Sequence, residues 1–176
     1  SAQPPQVTEW QAKSSYNMSS TVTVTLQESD ISSELICKVW HRTLTTPLQG
    51  TYKLSRALRV SPSVNVRADQ SSPIELNKTV NFTCHVRRFY PANVSVTWLE
   101  NEMQIKVENV SQPSEIHGGL FELRSQVEVQ ATVDKNGSVF TCLVVDDASS
   151  SVRNSTILRI ADPAQEGPSD WSQMDN

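Results

Sequence analysis

Two widely separated cysteines, Cys84 and Cys142, with Trp98 placed between them and nearer the first, constrain this chain more than any other feature. All three sit where apolar and polar residues alternate. Val80, Phe82, Cys84 and Val86 share one face of "TVNFTCHVRR"; Val94, Val96 and Trp98 share one face of "NVSVTWLE"; Phe140, Cys142 and Val144 share one face of "SVFTCLVVD". A period of two marks a strand with one side against a core. In each segment the cysteine or tryptophan falls on the apolar side.

The surrounding sequence has the same character. Glycine is scarce, at five residues, and Ser, Thr and Val recur in short alternating runs. "PSVNVRA", "TVNFTCHVRR", "NVSVTWLE", "LFELRSQVEVQATV", "SVFTCLVVD" and "SSVRNSTILRI" are each bounded by Pro, Gly, Asn or Asp, and no segment sustains a helical period. Short strands with turn signals about every 8 to 12 residues point to an all-β sandwich or barrel. Upstream, "NMSSTVTVTL" puts Met18, Val22, Val24 and Leu26 on one face, which predicts a half-buried strand. "ELICKVWH" and "YKLSRALRV" predict two more, with an exit at Ser61-Pro62. An internal repeat accompanies them. "RALRVSPS" at 56–63 matches "TILRIADP" at 156–163, and "ELICKVWH" matches "VFTCLVVD". This alignment pairs Leu58 with Leu158. Cys37 then precedes its leucine by a wider interval than Cys142 does, which predicts a longer closing hairpin in the first copy.

Cys, Trp and Cys in this order on alternating strands is the pattern of the immunoglobulin fold, in which a disulfide joins two sheets and the tryptophan packs against it. The resemblance implies a Cys84–Cys142 bridge with Trp98 as the core residue on it. Closing a loop of that length is worth roughly 4 kcal/mol, large against a domain stability of roughly 5 to 15 kcal/mol. A zinc site would need Cys and His at short spacing, and His41, His85 and His117 sit near no such cluster. Cys37, the third cysteine, matches Cys142 in the repeat. A partner as far upstream of it as Cys84 is of Cys142 would lie before residue 1, so Cys37 is expected to be unpaired in this chain; a naturally free buried thiol is the alternative. The expected organisation is residues 1–60 as the C-terminal part of a truncated constant-type domain, 61–161 as a complete one, and 162–176 as a polar tail.

The stretches "CHVRRFYPANVSVTWLENE" and "SELICKVWHRTLTTPLQGTYKLSRALRVSPSVNV" resemble the membrane-proximal constant-type domains of the signal-regulatory proteins, from roughly residue 15 to 161. "FYP" at 89–91 is common to constant-type domains; followed by "TWLEN" it is narrower. Such domains usually carry Tyr or Phe two residues before the second cysteine and His four after it. Here the first copy has Leu35 and His41, the second Phe140 and Asp146. The second domain therefore lacks the hydroxyl of a tyrosine corner, which sets it apart from antibody constant chains. The resemblance implies a leukocyte cell-surface receptor whose variable-type domain, outside this chain, engages integrin-associated protein. This chain would supply the stalk.

Charge and motifs narrow the function classes. The formal net charge is −4, with 15 Lys and Arg scattered along the chain, so nothing here forms the basic stripe that holds nucleic acid. There is no apolar run of about 20 residues to cross a bilayer and no secretory signal at "SAQPPQVTEW". Export is indicated instead by seven Asn-x-Ser/Thr acceptors, at Asn17, Asn77, Asn81, Asn93, Asn109, Asn136 and Asn154, a pattern of the secretory pathway. That places the chain outside the plasma membrane or in the secreted fraction. Catalysis has no parts to work with: no Ser-His-Asp set in context and no glycine-rich phosphate loop, and Asp146-Asp147 reads as a solvated strand end. No cofactor is expected. Against the receptor stalk stand a soluble or antigen-receptor-like constant domain that pairs with a partner, and an incomplete gene product.

Overall fold

A computed structural model of the chain describes residues 2–9, 15–107 and 109–162. Its backbone divides into two compact units, Ser1–Leu58 and Arg59–Asn176. The polar tail expected at 162–176, with Trp171, lies outside the described residues apart from Asp162.

In the first unit, β1 (Gln6–Glu9) pairs with β2 (Tyr16–Ser19), and β3 (Glu34–Val39) with β4 (Leu48–Lys53), both antiparallel. A 3₁₀ turn at Glu28–Ser32 precedes the second hairpin and another, Leu54–Arg56, follows it. The half-buried strand expected from Asn17 to Leu26 does not form as such. Its ladder stops at Ser19, Val22 makes an isolated bridge to Ala2, and Met18, Val22 and Val24 are exposed. Alternation produces a buried face only where another layer covers it.

The closing strand is also displaced from its expected place, ending at Lys53 where "YKLSRALRV" suggested a run to Val60. Leu54 N–H still donates to the Ser33 carbonyl at 3.0 Å, in register with the ladder, and the chain then turns away because Ala57 and Leu58 both donate to the Leu54 carbonyl. In the second unit Leu158 N–H donates to the Ser138 carbonyl at 2.9 Å. Ser33 and Ser138 each lie four residues before their cysteine. Leu54, not Leu58, is therefore the equivalent of Leu158. The interval from cysteine to leucine then becomes nearly the same in the two copies, so the extra length inferred from the similar letters "RALRV" and "TILRI" nearly disappears. The loop between β3 and β4 (40–47) is still longer than its counterpart in the second unit (147–150).

The second unit is an immunoglobulin-like β-sandwich. One sheet holds β5 (Ser63–Ala68), β6 (Thr79–Phe89), β11 (Phe121–Gln130) and β10 (Ser114–Glu115), with β9 (Asn109–Val110) also on β11. The other runs β13 (Ser151–Ile157), β12 (Val139–Asp146), β7 (Val94–Glu100) and β8 (Met103–Ile105). All strand pairings are antiparallel. The six longer strands lie on the six alternating segments of the sequence, whereas β8, β9 and β10 are too short to show a period. Val80, Phe82, Cys84 and Val86 from one sheet meet Trp98, Phe140, Cys142 and Val144 from the other, and Phe82 stacks on Phe140 with ring centroids 4.9 Å apart.

At the flank of the sandwich the polar backbone is still paired. The outer edge of β5 faces β13, and the Asn154 side chain reaches over, its Oδ1 accepting the Val66 N–H at 3.1 Å. Ile74 makes a parallel bridge to Ile160, and Val60 exchanges two hydrogen bonds with Tyr90.

Candidate functional site

At the centre of the sandwich Cys84 and Cys142 are joined, with Cα atoms 6.2 Å apart and a sequence separation of 58. Trp98 lies opposite Cys142 across the β7–β12 ladder, and all three residues are fully buried. An indole N–H cannot be left unpaired there without a cost of about 1 to 3 kcal/mol. Ser125 on β11 answers it: Trp98 Nε1 donates to Ser125 Oγ at 2.9 Å, and Ser125 is 1% exposed. This serine was not singled out from the sequence. Its signal was present, however, as the one polar residue on the inward row Phe121, Leu123, Ser125, Val127, Val129.

The outer face of the β5–β6–β11 sheet is polar throughout. Asn65 and Arg67 stand on β5, Asn81, Thr83, His85 and Arg87 on β6, and Glu122, Arg124, Gln126, Glu128 and Gln130 on β11. Several of these groups hold one another. Glu122 Oε2 lies 3.1 Å from His85 Nε2 and 3.4 Å from Arg87 Nε, and Gln126 Nε2 donates to Thr83 Oγ1 at 3.2 Å. At the far end Asp69 accepts from both the backbone and side-chain amides of Asn81, at 3.0 and 3.1 Å. Those bonds, the backbone one first, hold its carboxyl below the usual carboxylate range, against a small opposing effect of desolvation.

The other residues marked in the sequence are dispersed. Asn17, Asn77, Asn93, Asn109 and Asn136 are exposed, while Asn81 and Asn154 are half-buried. Asn136 Oδ1 accepts the Ile160 N–H at 3.0 Å. Cys37 is a free, exposed thiol in the middle of β3, facing the same way as its neighbours Tyr52 and Leu48, which are 46% and 62% exposed. Asp146 and Asp147 are occupied by local structure: Asp146 Oδ1 accepts the N–H groups of Ala148 and Ser150, and Asp147 pairs with Arg59 at 3.0 Å. His41 Nδ1 lies 2.7 Å from the Thr43 hydroxyl. Among the described residues no group of three or more His, Cys, Asp or Glu is placed to hold a metal ion. No helix there is long and apolar enough to cross a membrane.

The geometry can be set beside known proteins. Residues 64–149 match the immunoglobulin C1-set domain. The chain is 38% identical over 155 residues to tyrosine-protein phosphatase non-receptor type substrate 1 of Mus musculus, covering 87% of this chain and 30% of that protein. It is 35% identical over 157 residues to signal-regulatory protein beta-1 of Homo sapiens, covering 89% and 39%. The chain thus spans about a third of the length of these curated relatives. Among solved structures, the C1 domain of an IgNAR antibody superposes with a TM-score of 0.50 at 24% identity, covering 57% of this chain and 94% of that one, a likeness of fold.

Proposed function

This chain carries an immunoglobulin C1-set domain of the signal-regulatory protein family, and on that premise we propose that it is a non-catalytic spacer in the extracellular part of a leukocyte receptor. It holds a ligand-binding head away from the bilayer. In that receptor a variable-type domain engages integrin-associated protein and so regulates immune-cell signalling. Residues 1–60 contribute the closing hairpin of one constant-type domain, 61–161 a complete one, and 162–176 a polar approach to the membrane. Sugars on the sequon asparagines cover the exposed surface.

One observation carries the reading. A constant domain that pairs with a partner does so through the outer face of the β5–β6–β11 sheet, and that face needs apolar residues to bury. Here it presents Arg67, Thr83, His85, Arg87, Glu122, Arg124, Gln126 and Glu128. Desolvating that row would cost several kcal/mol unless every group found a partner, and a glycan on Asn81 would stand in the way. Residues 61–161 made in mammalian cells are expected to sediment as a glycosylated monomer at micromolar concentration, before and after glycan removal. A dimer that persists with sugars attached and dissociates on Glu122→Ala or Arg124→Ala substitution would replace the spacer with a pairing module.

A further inference from the structure

On the same outer face lies a shallow concavity of about 500 Å³, lined by Asn65, Arg67, Thr83, His85, Arg87 and Arg124. The strand register sets out its plan. Asn65, His85 and Arg124 form one rung across β5, β6 and β11, and Arg67, Thr83 and Gln126 form the next. Strands lie about 4.8 Å apart and same-face rungs about 7 Å apart, so three guanidinium groups and an imidazole share an area on the order of 10 by 14 Å. Glu122 neutralises part of this charge through His85 and Arg87. Arg67 and Arg124 take no part in those ion pairs. Arg67 Nε donates to Asn65 Oδ1 at 3.1 Å, a bond that aims the guanidinium and uses one of its five N–H groups. Elsewhere in this unit Arg59, Lys78, Lys135 and Arg153 are matched by Asp147, Glu75, Glu100 and Glu102. The carboxylates of Asp69 and Glu128 stand on the rung beyond Thr83, while the six residues lining the concavity carry three guanidinium groups and no carboxylate, in a chain of net charge −4.

We propose that this concavity binds a sulfated polysaccharide, a role beyond that of a spacer. The guanidinium fork fits the oxygens of an oxyanion and keeps its charge at every physiological pH. Between the arginines, the Asn65 amide and Thr83 hydroxyl offer donors and acceptors to sugar hydroxyls, and the volume lies within the range of ordinary ligand sites. The lining also argues against other polyanions. It contains no apolar side chain and no ring but the His85 imidazole, so an acidic peptide finds no pocket for the anchor residues that carry most protein–protein affinity. A nucleic acid strand likewise finds no run of rings to stack successive bases on, only the His85 imidazole held by Glu122.

The test is calorimetric titration of the full chain, made without glycans so that no sugar on Asn81 stands beside the concavity, with a heparin hexasaccharide at low and at physiological salt. Micromolar binding that weakens several-fold as salt rises is expected, with no binding of the fully desulfated hexasaccharide. Arg67→Ala/Arg124→Ala should melt at the unchanged temperature, since both side chains are exposed and outside the ion pairs, and should lose affinity by about tenfold or more. Lys78→Ser/Arg153→Ser, which alters charge elsewhere, should bind like the wild type. Absence of binding at low salt, equal binding of the desulfated sugar, or full affinity in the Arg67/Arg124 variant would each overturn the proposal. A polyglutamate peptide that binds as tightly as the hexasaccharide would reassign the concavity to acidic peptides.

Discussion

At the scale of single residues, Trp98 and Ser125 show how one buried polar group fixes another. The indole fills the space beside the disulfide, and its N–H requires an acceptor at one place on the facing sheet, which β11 supplies in the middle of an otherwise apolar row. Ser125→Ala should lower stability by about 1 to 3 kcal/mol, because it strands a buried donor. Ser125→Thr, which keeps the hydroxyl, should lose less. Urea unfolding of the 61–161 segment measures both, and equal losses would show that the hydrogen bond is not what matters. Trp98 could be read from its spacing alone. Ser125 could not be assigned its role, since a lone serine on an apolar row says that a partner exists without saying which one.

At the scale of elements, the edges of the two sheets depend on side chains that the strand pattern does not reveal. Asn154 stands in β13 as an ordinary sequon asparagine, yet its Oδ1 takes the N–H of Val66 on the edge of β5 in the other sheet. That contact ties the two sheets together where no ladder can. Asn154→Ala should cost about 1 kcal/mol or somewhat more, and Asn154→Asp, which retains the acceptor, should restore most of it. The two variants both abolish the sequon, so a shared loss in thermal unfolding of the glycosylated protein would point to the sugar instead of the hydrogen bond. The same scale explains the misplaced hairpin of the first unit. Similarity of letters aligned Leu58 with Leu158, whereas the backbone bonds from Leu54 to Ser33 and from Leu158 to Ser138 align the structures.

At the scale of the whole molecule, the two units differ in what covers their apolar faces. In the second, β6 and β11 lie over β7 and β12, and Val80, Phe82, Trp98 and Phe140 are fully or almost fully buried. In the first, Val7, Tyr16, Met18, Val22, Ile36, Leu48 and Tyr52 are exposed, and two hairpins of this size do not stand alone in water. Residues 61–161 expressed alone should therefore unfold in one sharp thermal transition. Residues 1–60 alone should aggregate or give no transition, and a cooperative melt of that piece would show that its hairpins suffice as a domain.

The six long strands of the sandwich and the faces they bury were legible in the sequence because a period of two is a local property, and the meeting of Cys84, Trp98 and Cys142 was legible through the resemblance of their order to the immunoglobulin pattern. The matching of Cys37 with Cys142 was legible too, as a repeat. Tertiary structure alone decided where the ladders begin and end, as at Ser19 and Lys53, because a strand persists only while a neighbour accepts its hydrogen bonds. It also decided which charges meet. Arg67, His85, Arg87 and Arg124 come from three segments far apart along the chain and look like scattered surface residues there. Antiparallel register brings them onto neighbouring rungs of one face, since cross-strand contact depends on pairing and not on distance along the chain.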